Sequence, residues 1–346
     1  MLRKLRFLAP VFLTLALSPL HAWDYEGHRI VNTLALAALP EDFPAFARTA
    51  AATERIAFLS GEADRWRNVP DLPLKQSGGS WTDHFLDLEY IPEAGLDPAQ
   101  LPSFRYDFIV QFAAGRAAHP ENFPPIDPAK NADHTREWPG FAPWAIAEYF
   151  GRLRSAFSYL RVYEELGTPD EVENARANVL NFMGLMGHYV GDCAQPLHST
   201  KHYNGWTGPN PKGYTRWNGL HSWIDGGIIA KAGLRAPNLA PRIGRAEPLP
   251  MLARQDGRDP VFVAALEFII RQHQHVATIY ELDKAGRLGH GEGPMTDEAR
   301  TLIEDRLLDG GRMLGAIWLT AWRSAVPDTY LRSALVRRQA ARGAAP

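Results

Sequence analysis

The chain has 346 residues, 45% of them hydrophobic and 22% charged, with a single cysteine, Cys193. That composition excludes wholesale disorder, and one cysteine excludes an internal disulfide framework and any zinc site built on two or four thiolates. A formal charge of −2 excludes the strongly basic balance of a protein that coats nucleic acid, and leaves 12 His and 10 Trp as the less ordinary counts.

Residues 1–22 read as a secretory signal. Arg3, Lys4 and Arg6 precede an apolar run from Phe7 to Leu17, and Ser18, Pro19 and Ala22 place a cleavage before Trp23. The run is too short for a mature transmembrane helix. The expected location is therefore secreted or periplasmic, with no stable membrane insertion. Loss of the three leader cations leaves 34 Lys and Arg against 39 Asp and Glu, a formal −5. Without disulfides, such a chain must draw its stability from a core or from bound metal.

Beyond the leader, helical patterns dominate. Ile30 to Leu39 is apolar and Ala-rich, and Pro44 to Leu59 reads as a second helix. Residues 143–166 carry apolar side chains at spacings of three and four. Pro169 and Asp170 open another helix through Val179, Leu180, Phe182, Leu185 and Met186. Residues 260–282 and 296–323 follow the same period. Alternation of period two is nearly absent, so the fold is predicted to be all-α. One mainly helical domain is expected over residues 23–328, with long Pro- and Gly-rich loops at 91–140, 203–219 and 233–259. The tail at 329–346 has four Arg and no acid, and is expected to be solvated or frayed. A monomer is expected.

The chemistry concentrates in GLMGHYVGDCAQPLH, which places His188, Asp192 and His198 at spacings of four and six. Residues four apart share a helix face, so His188 and Asp192 can reach one ion, and Pro196 ends the helix so that His198 can turn back. LHSWID repeats the pair as His221 and Asp225. Imidazole and carboxylate without thiolate suit Zn²⁺ in a hydrolytic site. WTDHFLDLEY adds His84, flanked by Trp81, Asp83, Phe85 and Asp87, and SGEADRWRN adds Asp64 beside Arg65 and Arg67. Trp23 at the predicted new terminus offers an α-amino group, with His28 five residues on. These candidates exceed what one tetrahedral ion can use, so a multinuclear site is implied.

With these motifs in this order, the sequence resembles the family of trinuclear-zinc phosphoesterases that unites single-strand nucleases of the S1/P1 type with bacterial zinc phospholipase C. The motif likeness runs from Trp23 to about Asp225. It implies three zinc ions. One would be held by Asp64, His84, His188 and Asp192, a second by His198, His221 and Asp225, and a third by the Trp23 terminus and His28, with Asp192 bridging the first and third. It implies phosphodiester hydrolysis by metal-activated water, in which Asp192 and Arg67 act catalytically and Arg67 steadies the phosphate. The five-residue step from Trp23 to His28, the acid Asp225 and the aromatic Phe85 after His84 match the nuclease branch, with Phe85 placed to stack on a base. The expected substrate is thus single-stranded DNA or RNA, with 3′-nucleotides also possible; the alternatives are a phospholipase C acting on lipid headgroups and a non-enzymatic zinc-binding module. The interval from His84 to His188 is longer than in the fungal nucleases, Gly219 stands where they usually have Asn, and segment 199–219 is unlike theirs. Of the other candidates, His202 is expected to be a solvated loop residue, Cys193 a small buried one, and Trp318 and Trp322 core.

Overall fold

The computed structural model describes residues 23–69, 74–75 and 81–343; the leader expected at 1–22 lies outside the described residues. Among the described residues the chain is helical, with β pairing limited to isolated bridges, so the fold is all-α. One continuous apolar core runs through it.

Helix α1 (Tyr25–Ala38) starts where the Asp24 carboxylate accepts from the Glu26 amide, and it buries Ile30, Val31, Leu34, Ala35 and Ala38 on one face. The expected helix from Pro44 to Leu59 is divided. A 3₁₀ turn (Ala45–Arg48) comes first, then Thr49 caps α2 (Ala50–Leu59) by accepting from the Ala52 amide at 3.1 Å. The Thr49 hydroxyl supplies the local reason for the break, because a capping side chain favours a new start over continuation. Helix α3 (Glu62–Asn68) follows at once.

The Pro-rich 91–140 stretch is more ordered than a loop. It contains α4 (Arg105–Ala118), whose buried Phe108 and Phe112 are four apart, and Phe108 stacks on Trp144 with centroids 4.3 Å apart. Helix α5 (Ala142–Leu166) then pairs lengthwise with α6 (Pro169–Ala194). A capping box fixes the start of α6: Thr168 accepts from the Glu171 amide, and the Glu171 carboxylate accepts from the Thr168 amide. The expected 260–282 helix is also two, α7 (Pro260–His273) and α8 (Val276–Lys284), broken at Gln274 and His275. Helix α9 (Asp297–Ser324) crosses α1, α5 and α6 and buries Trp318.

The tail is not frayed as expected. It forms α10 (Thr329–Gly343), which packs on α5 and buries Leu335; Arg332 pairs with Glu165, and Arg338 makes two bonds to Glu171 at 2.6 and 2.8 Å. The tail's four arginines gave no apolar period strong enough to predict this. Its partners are acids on α5 and α6, invisible from the tail alone.

Helix α6 is the centre of the arrangement, touching α1, α2, α5 and α9. Its approach to α1 depends on Gly187, where a Cβ would stand 1.7 Å from the Asn32 amide oxygen. Asn32 in turn donates to the Ile56 and Gly184 carbonyls, at 2.9 and 3.2 Å, and so ties α1 to α2 and α6. No helix among the described residues is long and apolar enough to cross a membrane.

Candidate metal centre

The last two turns of α6 present His188 and Asp192 on one face, with Nε2 of His188 3.2 Å from Oδ2 of Asp192. Helix α6 then stops. Gln195 accepts from the Leu197 amide, Pro196 opens a 3₁₀ turn (Pro196–Ser199), and that turn carries His198 back toward Asp192, with Nδ1 3.9 Å from Oδ1. The 82–88 segment is threaded alongside. The Leu86 amide donates to the His198 carbonyl at 3.0 Å, and the Phe141 amide donates to the Thr82 carbonyl at 2.6 Å. This holds His84 with Nδ1 2.9 Å from Asp192 Oδ2 and 2.8 Å from His188 Nε2. His28 enters from α1, with Nε2 3.4 Å from the other Asp192 oxygen and its ring stacked on His188 at 4.1 Å. Asp64 enters from α3, 3.8 Å from His188 Nε2.

His221 and Asp225 lie on a short helical stretch whose middle turn, Trp223–Gly227, is widened to a π turn, a feature frequent at functional sites. His221 Nε2 is 3.1 Å from Asp225 Oδ2, and Gln195 donates to Asp225 Oδ1 at 2.7 Å. Trp23 is buried, and the next residue, Asp24, donates its amide to the Asp225 carbonyl at 3.1 Å. The start of the described chain therefore abuts the last ligand candidate.

All eight side chains expected to hold metal are buried, and they fall into three groups with converging donor atoms: His28, Asp64 and His188; His84, His188 and Asp192; His198, His221 and Asp225. The third matches the expected set. The first joins His28 to Asp64 and His188, where the resemblance pairs His28 with the Trp23 terminus.

The donor chemistry fits divalent zinc. His188 donates Nδ1–H to the Ser60 carbonyl at 2.6 Å, and His198 donates Nδ1–H to the His84 carbonyl at 2.8 Å. Such bonds fix the tautomer and leave Nε2 as the lone-pair nitrogen. Buried nitrogens of His28, His84, His198 and His221 make no hydrogen bond. A buried polar atom without a partner costs about 1–3 kcal/mol, so several in one place point to a ligand that satisfies them. Donors around a tetrahedral zinc at about 2.0–2.1 Å stand roughly 3.3 Å apart, close to the His84, His188 and Asp192 separations.

Protonation reinforces the point at four of the five histidines. Burial, aided by the charge of His188, lowers His28 to about 4. Burial likewise lowers His84 to about 4, against the pull of Asp192. Burial and neighbouring His198 hold His221 well below the ordinary histidine range, and burial lowers His198. For His188 burial acts downward but Asp192 and Asp64 outweigh it, so its value rises. Burial opposes ionisation of Asp192 too, yet His188 and His198 keep it well below the usual carboxylate range. Burial raises Asp225 well above that range.

A cleft of about 60 Å³ opens onto His84, His198 and His221. Its walls include the expected Arg67 and Phe85. Arg67 is buried rather than a surface residue, pairs with Asp64 at 2.9 Å, and lies 4.8 Å from the Trp81 ring. Phe85 is positioned by Gly140 (φ 107°), where any Cβ would strike the Phe85 carbonyl oxygen at 2.1 Å. Trp81 and Asp87, noted in the sequence only as neighbours of His84, also form the wall, as does Tyr203, which the sequence did not single out. Asp87 was visible three residues after His84, while Asp83 turns away to pair with Arg105 at 2.5 Å. Ser60 and Gln195 were missed because their partners are distant in sequence. His202 is not a solvated loop residue: it is buried and stacked on Trp206 at 3.8 Å. Cys193 is buried. Comparison with protein-family models finds no match, and comparison with curated proteins finds none either.

Proposed function

We propose that the protein is a secreted or periplasmic, zinc-dependent phosphodiesterase of the S1/P1-nuclease type that hydrolyses single-stranded nucleic acid. The observation that carries this reading is one buried cluster of five histidines and three aspartates, opening through a cleft whose wall sets a buried arginine among aromatic side chains. His28, Asp64, His84, His188, Asp192, His198, His221 and Asp225 would hold the metal, with the Trp23 terminus as a further ligand once residues 1–22 are removed. Zinc bound there supplies positive charge for an anionic phosphate and lowers the pKa of water to about 7.

The chain's own groups do the rest. The two Asp192 oxygens face different histidines, Oδ2 toward His84 and His188 and Oδ1 toward His28, so this carboxylate would be able to serve two ions at once. Arg67 brings a fixed positive charge to the cleft. Its Asp64 partner and the Trp81 ring hold the guanidinium in place, ready to bind a phosphate oxygen. Phe85 and Tyr203 offer ring surfaces of the kind on which a base stacks for about 1–3 kcal/mol without regard to its identity. Ser60, through its carbonyl, and Gln195, through its amide, orient His188 and Asp225.

The test is an assay of protein beginning at Trp23, loaded with zinc, on single-stranded DNA beside phosphatidylcholine vesicles. Cleavage of the DNA, abolished by chelation and restored by Zn²⁺, is expected. Release of phosphocholine without DNA cleavage would move the protein to the phospholipase branch. Absence of bound metal would end both readings.

A further inference from the structure

The 91–140 segment contributes nothing to the three donor groups, yet it builds the wall beyond Phe85. The Asp87 amide donates to the Pro139 carbonyl at 2.6 Å, Gly140 pairs with Leu86, and the Ala142 amide donates to the Phe85 carbonyl at 3.2 Å. Behind this wall lies a second cavity of about 280 Å³. It is lined by three cations, Arg116, Lys130 and Arg136, and by the rings of Tyr90, Phe123 and Trp138. Tyr90 and Phe123 stack at 5.9 Å, and the Arg116 guanidinium lies 5.0 Å over Phe123.

The cavity's acids are already occupied. Asp127 accepts from the Ala129 amide and sits 3.5 Å from Lys130, and Glu137 accepts from Asn131 and binds His134. Arg136 uses Nε on the Lys130 carbonyl at 2.7 Å and is otherwise exposed. The two cavities thus adjoin through Asp87, which lines the first, and Pro139, which lines the second.

We infer that the insertion forms a second subsite for the same strand, binding a phosphate on Arg136 and Lys130 and a base against the Tyr90, Phe123 and Trp138 rings. This rests on the nucleic-acid reading above and sharpens it: the preferred substrate is an oligonucleotide, not a dinucleotide. Cations beside sequence-tolerant aromatic faces are what a single strand requires.

The test uses Lys130→Glu, Arg136→Glu and the double variant. Both side chains are exposed, so the fold is kept, with the melting temperature as the check. Turnover is measured on an oligothymidylate of about a dozen nucleotides and on a thymidine dinucleotide. Binding of the phosphorothioate oligonucleotide by the metal-loaded protein is followed by fluorescence anisotropy at several salt concentrations. In the double variant, the ratio of kcat/KM for the long substrate to that for the short one is expected to fall about tenfold, and the salt slope of binding to fall by about 0.7, the share of one phosphate contact on a single strand. An unchanged ratio with an unchanged slope would overturn the second subsite while leaving nuclease activity in place. Failure of the unsubstituted protein to cut either nucleic acid would instead overturn the reading on which the subsite rests.

Discussion

His188 is held from both ends. Its Nδ1–H is committed to the Ser60 carbonyl, and its Nε2 lies within 3.2 Å of His84 and Asp192 and 3.8 Å from Asp64. It belongs to two of the three donor groups. Truncating it removes a donor from both, so His188→Ala is expected to lose bound zinc and to abolish phosphodiesterase activity. Elemental analysis of the purified variant checks this, and a full metal complement would contradict the shared role. Protonation gives a second residue-scale expectation for the metal-free protein. His28 and His84 are lowered from 6.5 to about 4 on folding, so the folded state resists protonation at these rings. Their contribution to stability is complete above about pH 6.5 and is lost as the pH falls toward 4. His198 and His221 act with the same sign, and the raised His188 and Asp225 act against it. Melting temperatures of chelator-treated protein are therefore expected to drop across this window. A flat profile would show that these rings are not buried neutral in the metal-free fold.

At the scale of elements, the site depends on how α1 and α6 are set against each other. Gly187 faces the Asn32 amide with no room for a methyl group, whereas Gly151, in α5, has nothing within 4 Å of the point where a Cβ would stand. Gly187→Ala must push α6 or Asn32 aside, next to His188, and is expected to cost about 1–3 kcal/mol and to weaken metal binding. Gly151→Ala removes only unfolded-chain freedom and is expected to stabilise by about 0.5–1 kcal/mol. Thermal melts and a zinc titration of the two variants separate these outcomes; equal effects would deny Gly187 its positioning role. The same contrast marks what the sequence could reveal. Periodicity exposed the long helices because α5, α6 and α9 repeat apolar residues over many turns. The spacings of four in His188–Asp192 and His221–Asp225 were legible as shared helix faces. Helix α4 was hidden by its Pro-rich flanks, with only Phe108 and Phe112 to signal a buried face. The contacts of Ser60, Gln195 and Gly187 were illegible because each depends on a partner brought near by the fold.

At the scale of the molecule, the ligand candidates come from six separate pieces of chain: α1, α3, the 81–84 turn, α6, the Pro196–Ser199 turn and the stretch carrying His221 and Asp225. A single cysteine leaves no covalent tie among them. Bringing this many imidazoles and carboxylates out of water without partners is costly, and a bound metal would offset that cost only in the folded state. Zinc should therefore act as the cross-link between the amino-terminal and central parts of the chain. A ligand present at a thousand times its dissociation constant stabilises the fold by about 4 kcal/mol per site. Dialysis against EDTA is accordingly expected to lower the melting temperature by many degrees, and added Zn²⁺ to restore it in step with metal content. The loss should be larger for protein that begins at Trp23 than for protein that keeps residues 1–22, where the Trp23 nitrogen is an amide and one ligand is missing from the outset. Equal zinc content and equal chelator sensitivity in the two forms would remove the terminus from the metal centre and leave the eight side chains to hold the metal alone.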